Sequence, residues 1–127
     1  MKYVYPVVLI EEKDGYYVRV PDFDASTQSK DLAEAIEMAR DLIGIMAIDF
    51  EEDKKEIPKP NSVKFEKEED SIITLVDVDF LEYRKKYNNK MIRKNLTIPY
   101  WLNVEAEKAG INFSQVLQVA LKEKLNV

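Results

Sequence analysis

A chain of 127 residues that is 46% hydrophobic and 34% charged has the balance of a folded globular protein, not of a disordered or membrane-embedded one. With no cysteine and no histidine it lacks disulfides, thiolates, the commonest general base and the commonest metal ligand, so a non-enzymatic role without cofactor or metal is expected. The net charge of −5 is unevenly divided: residues 1–89 hold 13 Lys and Arg against 21 Asp and Glu, whereas 90–127 hold 6 against 3. Such segregation is expected where one part meets a nucleic acid and the other a basic partner.

The opening run MKYVYPVVLIEEKDG meets acids too soon for a signal peptide, and no stretch approaches the roughly 20 apolar residues of a membrane helix. A cytoplasmic location is therefore expected. The length admits either one domain or a small domain with an appendage.

Residues 2–10 and 16–20 are rich in Val, Ile and Tyr and flank Lys13, Asp14 and Gly15, which predicts a β-hairpin with Asp-Gly at its tip. Pro21 and Asp22 close the second strand, and Asp24 to Gln28 could carry a third. From Asp31 the period changes. Leu32, Ile36, Ala39, Ile43, Met46 and Phe50 recur at helical steps, with Asp31 and Glu34 spaced as a cap. Met38, Ile45 and Ile48 lie off that stripe, which points equally to a subunit or partner interface and to deep burial.

Acids 51–53, Pro58 and Pro60 end this helix. IITLVDV at 72–78 predicts another strand, and Asp79 with Glu82 starts a short helix carrying Phe80, Tyr83 and Tyr87 on one face. Asn88 and Asn89 can take the left-handed conformation that ends helices, which sets a first domain over 1–88 in the order βββαβα.

Residues 92–98 alternate, with Arg93, Asn95 and Thr97 on one side and Ile92, Leu96 and Ile98 on the other, where Lys94 is the exception. Pro99 suits a first helical turn, and Leu102, Ala106 and Ala109 run to a terminating Gly110. Asn112 and Gln115 have cap spacing before the apolar Phe113, Val116, Leu117, Ala120, Leu121 and Leu125. This βαα module over 90–127 is too short to bury an adequate core and its strand has no partner, so pairing with a second copy is expected. An antiparallel ribbon from two copies would fit the major groove and present Arg93, Asn95 and Thr97 to base edges. Lys94 and the start of the second helix at Asn112, Phe113 and Ser114 would hold phosphate. The blander alternative is an edge strand with a solvated face and an ordinary helix cap.

The run NLTIP at 95–99, its following helix and the GINFSQ turn at 110–115 resemble the Arc and MetJ type of ribbon-helix-helix repressor. That resemblance implies base reading by alternate strand residues and phosphate binding at the second helix. The pattern YPVVLIEEKDGYYVRVPDFDASTQSKDLAEAIEMARDLI, followed by VDVDFLEYRKKY, resembles the HicB family of antitoxins, in the branch that carries a ribbon-helix-helix. The chain departs from many relatives at Asp24, Ala25, Ser26 and Ser29, where a Pro-Gly pair and a glycine before the helix are usual.

The combined resemblance implies an α+β protein with a partial ribonuclease-H-like domain that covers a small basic RNA-cleaving toxin, HicA, and a dimer that represses its own operon. Assembly of two dimers into a tetramer is left open. The acids Glu11, Glu12, Asp22 and Asp24 and the rings of Tyr17 and Phe23, which are expected to be exposed, are the candidate toxin contacts. Two rivals remain. Asp22, Asp24, Asp77 and Asp79 could form a metal-binding carboxylate cluster, or the chain could be a stand-alone repressor whose N-terminal sheet senses a small ligand.

Overall fold

The computed structural model describes residues 2–127, which fold as two compact units dividing between Lys90 and Met91. The first contains β1 (Lys2–Glu12), β2 (Gly15–Val20), a 3-10 turn at Pro21–Phe23, β3 (Ala25–Ser29), α1 (Leu32–Glu52), β4 (Ser71–Asp79) and α2 (Phe80–Tyr87). The second contains α3 (Tyr100–Lys108) and α4 (Phe113–Leu125).

The hairpin forms, but its tip is Lys13–Asp14, because Glu12 pairs with Gly15. Gly15 has φ +145° and a Cβ there would run into the Ser29 carbonyl, so only glycine fits. All pairings are antiparallel, in the order β3-β2-β1-β4. β4 therefore returns, after α1, to the side of β1 away from the hairpin. Pro6 is tolerated in the centrally placed β1 because the ladder to β2 begins only at Val8.

Alternation sends Tyr5, Val7 and Leu9 of β1 inward with Val18, Val20, Val76 and Val78. They pack against Ala35, Ala39, Ile43 and Ala47 of α1, with Phe23 and Phe80 closing the ends. The buried line of α1 is thus turned from the expected stripe: Leu32 is exposed, and Ile36, Met46 and Phe50 pack at the flanks. Alanines at the contact let the helix axis lie close to the sheet, and their weak hydrophobic signal hides them in the sequence. Of the three off-stripe residues Ile48 is buried, Met38 half-buried and Ile45 exposed.

Asp31 caps α1 by accepting from the Glu34 N–H at 2.8 Å, and Asp79 caps α2 by accepting from the Leu81 N–H at 3.0 Å. The two helices meet where Gly44 faces the Tyr83 ring, whose hydroxyl donates to Asp41 at 2.5 Å. Arg84 clasps Glu51 through two hydrogen bonds of 2.9 and 2.7 Å. Asn88, expected to end α2 in the left-handed region, has φ −141° instead and closes the helix through its N–H to the Arg84 carbonyl.

In the second unit Pro99 sits one residue before α3, as its cap, and Gly110 takes φ +67° after α3. The strand expected at 92–98 is not formed: residues 91–99 carry no regular element and are exposed throughout. A strand needs a neighbour for its N–H and C=O groups, and a single chain offers this segment none.

Gly44 yields a test with an informative sign. A Cβ there would lie 2.5 to 2.6 Å from the Tyr83 ring, so Gly44→Ala should destabilise by about 1–3 kcal/mol through overpacking. Helix propensity alone would make it stabilising by about 1 kcal/mol. Urea denaturation distinguishes the two.

Candidate functional site

Two surfaces hold the candidate residues, one on each unit. On the first, the six candidate toxin contacts separate into different environments. Glu11 and Glu12 are exposed at the end of β1 and Tyr17 is half-buried on β2 opposite Ile10. Asp24 is exposed in the left-handed region at φ 47°, a conformation that Asp tolerates better than most residues.

Asp22 and Phe23 are corrections to the expected exposed set, being only 6% and 5% exposed. Phe23 packs edge-on to Tyr5 and beside Phe50. The Asp22 carboxylate accepts from the N–H groups of Asn61, Ser62 and Val63 at 3.0, 2.8 and 3.1 Å and from the Ser62 hydroxyl at 3.0 Å. The Tyr5 hydroxyl donates to the Pro58 carbonyl at 2.7 Å. Together they tie the long connection between α1 and β4 onto the sheet. Burial, with the Asp22 carboxylate adding to it, pushes the Tyr5 hydroxyl up to about 12.

The rival carboxylate cluster is not assembled. Asp22 serves the connection, Asp77 accepts from Arg40 at 3.0 Å, and Asp79 caps α2. Among the described residues no three acids lie close enough to share an ion. The Asp77 carboxyl is held below its usual range, first by the Arg40 hydrogen bond.

A cleft of about 690 Å³ opens between β1, α2 and the connection, lined by Tyr3, Tyr5, Ile57, Pro58, Phe80 and Arg84. The Tyr5 hydroxyl is already bonded to Pro58, and Arg84 to Glu51. The cleft therefore presents mainly aromatic and aliphatic walls, with little of the convergent polarity that orients a small ligand.

The sheet has a second face that α1 does not cover. Val4, Pro6, Val8 and Ile10 of β1 share it with Ile73 and Leu75 of β4, by the register Val8↔Ile73 and Pro6↔Leu75, and Pro6 and Val8 are buried there. Ile73 and Leu75 are 42% and 64% exposed. Sequence reasoning assigned them only to a strand, although a strand that is apolar on both faces expects cover on both.

On the second unit Arg93, Lys94, Asn95 and Thr97 are exposed in the segment before α3. Asn112 caps α4 by accepting from the Gln115 N–H at 3.1 Å, with Phe113 and Ser114 exposed beside it. No residue of α3 or α4 is buried, and Trp101, Val116, Leu121 and Leu125 are all at least half exposed.

This arrangement, a four-stranded antiparallel sheet backed by helices and joined to a separate helical unit, is that of antitoxin folds. Over 98% of its length the chain is similar to 99% of a chain from a toxin–antitoxin complex of Streptococcus pneumoniae, with 31% identity and a TM-score of 0.59. The fold also matches a crystal structure of the antitoxin HicB3, at 22% identity and a TM-score of 0.53 over 96% of this chain and 97% of that one. A 14.9 kDa protein from the rep–hol intergenic region of Haemophilus phage HP1 is 32% identical over 101 residues, 76% of this chain and 73% of the phage protein. Residues 5–118 match the profile of the HicB-like antitoxins of bacterial toxin–antitoxin systems. The chain belongs to the HicB-like antitoxin family.

Asp22→Ala should cost about 1.5–3 kcal/mol, the range for hydrogen bonds to a charged group, and speed amide exchange at Asn61, Ser62 and Val63. A variant of unchanged stability would return Asp22 to the surface set. The Glu51 carboxyl is held low by its hydrogen bonds from Arg84. Its stabilisation is therefore present above the unfolded carboxylate range and lost as pH falls through the folded value. Glu51→Gln should melt below the parent at neutral pH, and the gap should close in acid.

Proposed function

We propose that the chain is the antitoxin of a type II toxin–antitoxin pair, neutralising a HicA-like ribonuclease by direct binding and repressing its own operon as a DNA-binding dimer. The observation that carries this reading is the family match from residue 5 to 118, which spans the first unit and reaches into α4 of the second. The first unit, whose order of elements fits a partial ribonuclease-H-like domain, is the toxin-binding part. Its surplus of acids over bases suits a basic partner.

The second unit supports the dimer. A segment of this size with no buried residue on either helix and a row of exposed aliphatic and aromatic side chains cannot hold its shape alone. In the proposed ribbon-helix-helix, residues 92–98 pair with the same residues of a second copy. Arg93, Asn95 and Thr97 then face base edges, Arg suiting guanine and Asn adenine. Lys94 and the backbone at Asn112, Phe113 and Ser114 hold phosphates and set the register of the ribbon.

Titration of the purified chain against a labelled duplex of its own promoter at several salt concentrations tests the repressor. Specific, salt-dependent binding that disappears on deletion of residues 90–127 is expected, and its absence at every salt would remove the DNA role. Asn95→Ala should weaken operator binding by about 1–3 kcal/mol and relax base preference while toxin binding survives. Equal loss of both activities would contradict separate sites.

A further inference from the structure

We propose that the outer edge of β4, centred on Ile73 and Leu75, is where a strand of the basic partner protein joins the sheet, extending it from four strands to five. This rests on the antitoxin reading above and names the surface that reading leaves open. In the order β3-β2-β1-β4 the sheet has two edges. The β3 edge is five residues long and polar, ASTQS, whereas β4 is nine residues long and reads SIITLVDVD. Natural edge strands are blunted by lysine, proline, bulges or shortness. β3 uses shortness, but between Ser71 and Asp79 there is neither Lys nor Pro, and among the described residues β4 has no strand on its far side.

Two independent observations show which backbone groups face out. Arg40 of α1 donates to the Asp77 carbonyl at 2.9 Å, so Asp77 directs its carbonyl away from β1. Pro6, which has no N–H to give, stands opposite Leu75, so that pair is not one that exchanges hydrogen bonds. Both place the odd-numbered residues of β4 with their N–H and C=O groups outward, since these groups alternate along an antiparallel strand. Arg40 occupies the edge at Asp77. Leu75 and Ile73 remain open, with exposed aliphatic side chains on the face opposite α1, beside the buried Val8 and Pro6.

Charge selects the occupant. Glu68, Glu69 and Asp70 precede the strand, while at its other end Asp77 is already paired with Arg40 at 3.0 Å and Lys2 at 3.9 Å. A second copy of β4 laid parallel would bring the first three acids against their own copies, which is unfavourable directly across a strand pair, and one laid antiparallel would meet them with an acid that is already paired. A strand with aliphatic residues at its centre and Lys or Arg towards the Ser71 end meets the opposite condition, complementary at that end and apolar along the rest.

The test uses the full chain and, as probe, a purified HicA-like toxin. Leu75→Pro removes one outward N–H without touching the ladder to β1, and Ile73→Lys places a like charge before a basic strand while keeping the fold should the proline not be tolerated. Each should weaken binding by about tenfold or more, whereas Gln28→Lys on the β3 edge should bind as the parent does. In the complex the amides of Ile73 and Leu75 should become protected from exchange. Undiminished binding by both variants, with those amides exchanging as in the free chain, would overturn the edge proposal and leave the antitoxin reading standing. Failure of the parent chain to bind the probe at all would overturn both.

Discussion

A β-strand persists in water only where its N–H and C=O groups meet a neighbour, and this requirement governs both ends of the molecule. In the first unit it is met for β1 and β2 on both sides and for β3 and β4 on one. In the second it is not met at all, and residues 91–99, although patterned as a strand, carry no regular element. The molecule therefore holds unspent backbone pairing capacity on a short segment beside basic residues and on a long edge that follows a run of acids. Each fits association with a different kind of molecule.

The first unit is complete as a folding problem because its core is built around one contact. Alanines on α1 bring the helix close to Val7, Val18 and Val76, and the aromatic residues Tyr5, Phe23 and Phe80 fill the wedge at the end of the sheet. Tyr5 and Asp22 then hold the connection between α1 and β4 through its backbone. Loops of this length without secondary structure are uncommon in compact domains unless something ties them. The order of the connection is thus a consequence of the core, since both anchors are residues placed by the first hairpin and the turn that follows it.

Much of this was legible in the sequence, because the strongest signals were local. The hairpin, the caps at Asp31, Asp79 and Asn112, and the left-handed Gly110 each depend on neighbours within a few residues. What escaped depends on distant partners. The phase of α1 was misread because alanine is nearly silent in a hydrophobic pattern yet ideal at a close contact. Asp22 and Phe23 were assigned to the surface because an acid beside an aromatic in a turn resembles a recognition loop. Only the fold reveals that residues some forty positions later supply the carboxylate with its donors. The missing strand at 92–98 is the same lesson reversed: the alternation is local, and a single chain supplies no neighbour to turn it into a strand.

The separation of charge gives the two proposed activities a physical basis for coexisting. An acidic surface repels DNA over about a Debye length, roughly 8 Å at physiological salt, so a chain that binds both DNA and a basic protein gains from confining each to its own unit. If the second units pair, one particle carries two acidic first units, and engagement of two toxin molecules changes the net charge near the DNA in the favourable direction. Toxin binding would then tighten the hold on DNA through electrostatics alone, without any conformational change. Linkage requires that DNA tighten toxin binding by the same factor. Steric strain between neighbouring dimers on the DNA would act against this, and the sign of the feedback would then be a contest between a salt-dependent attraction and a salt-independent clash, with the ionic strength at which it changes sign measuring their balance.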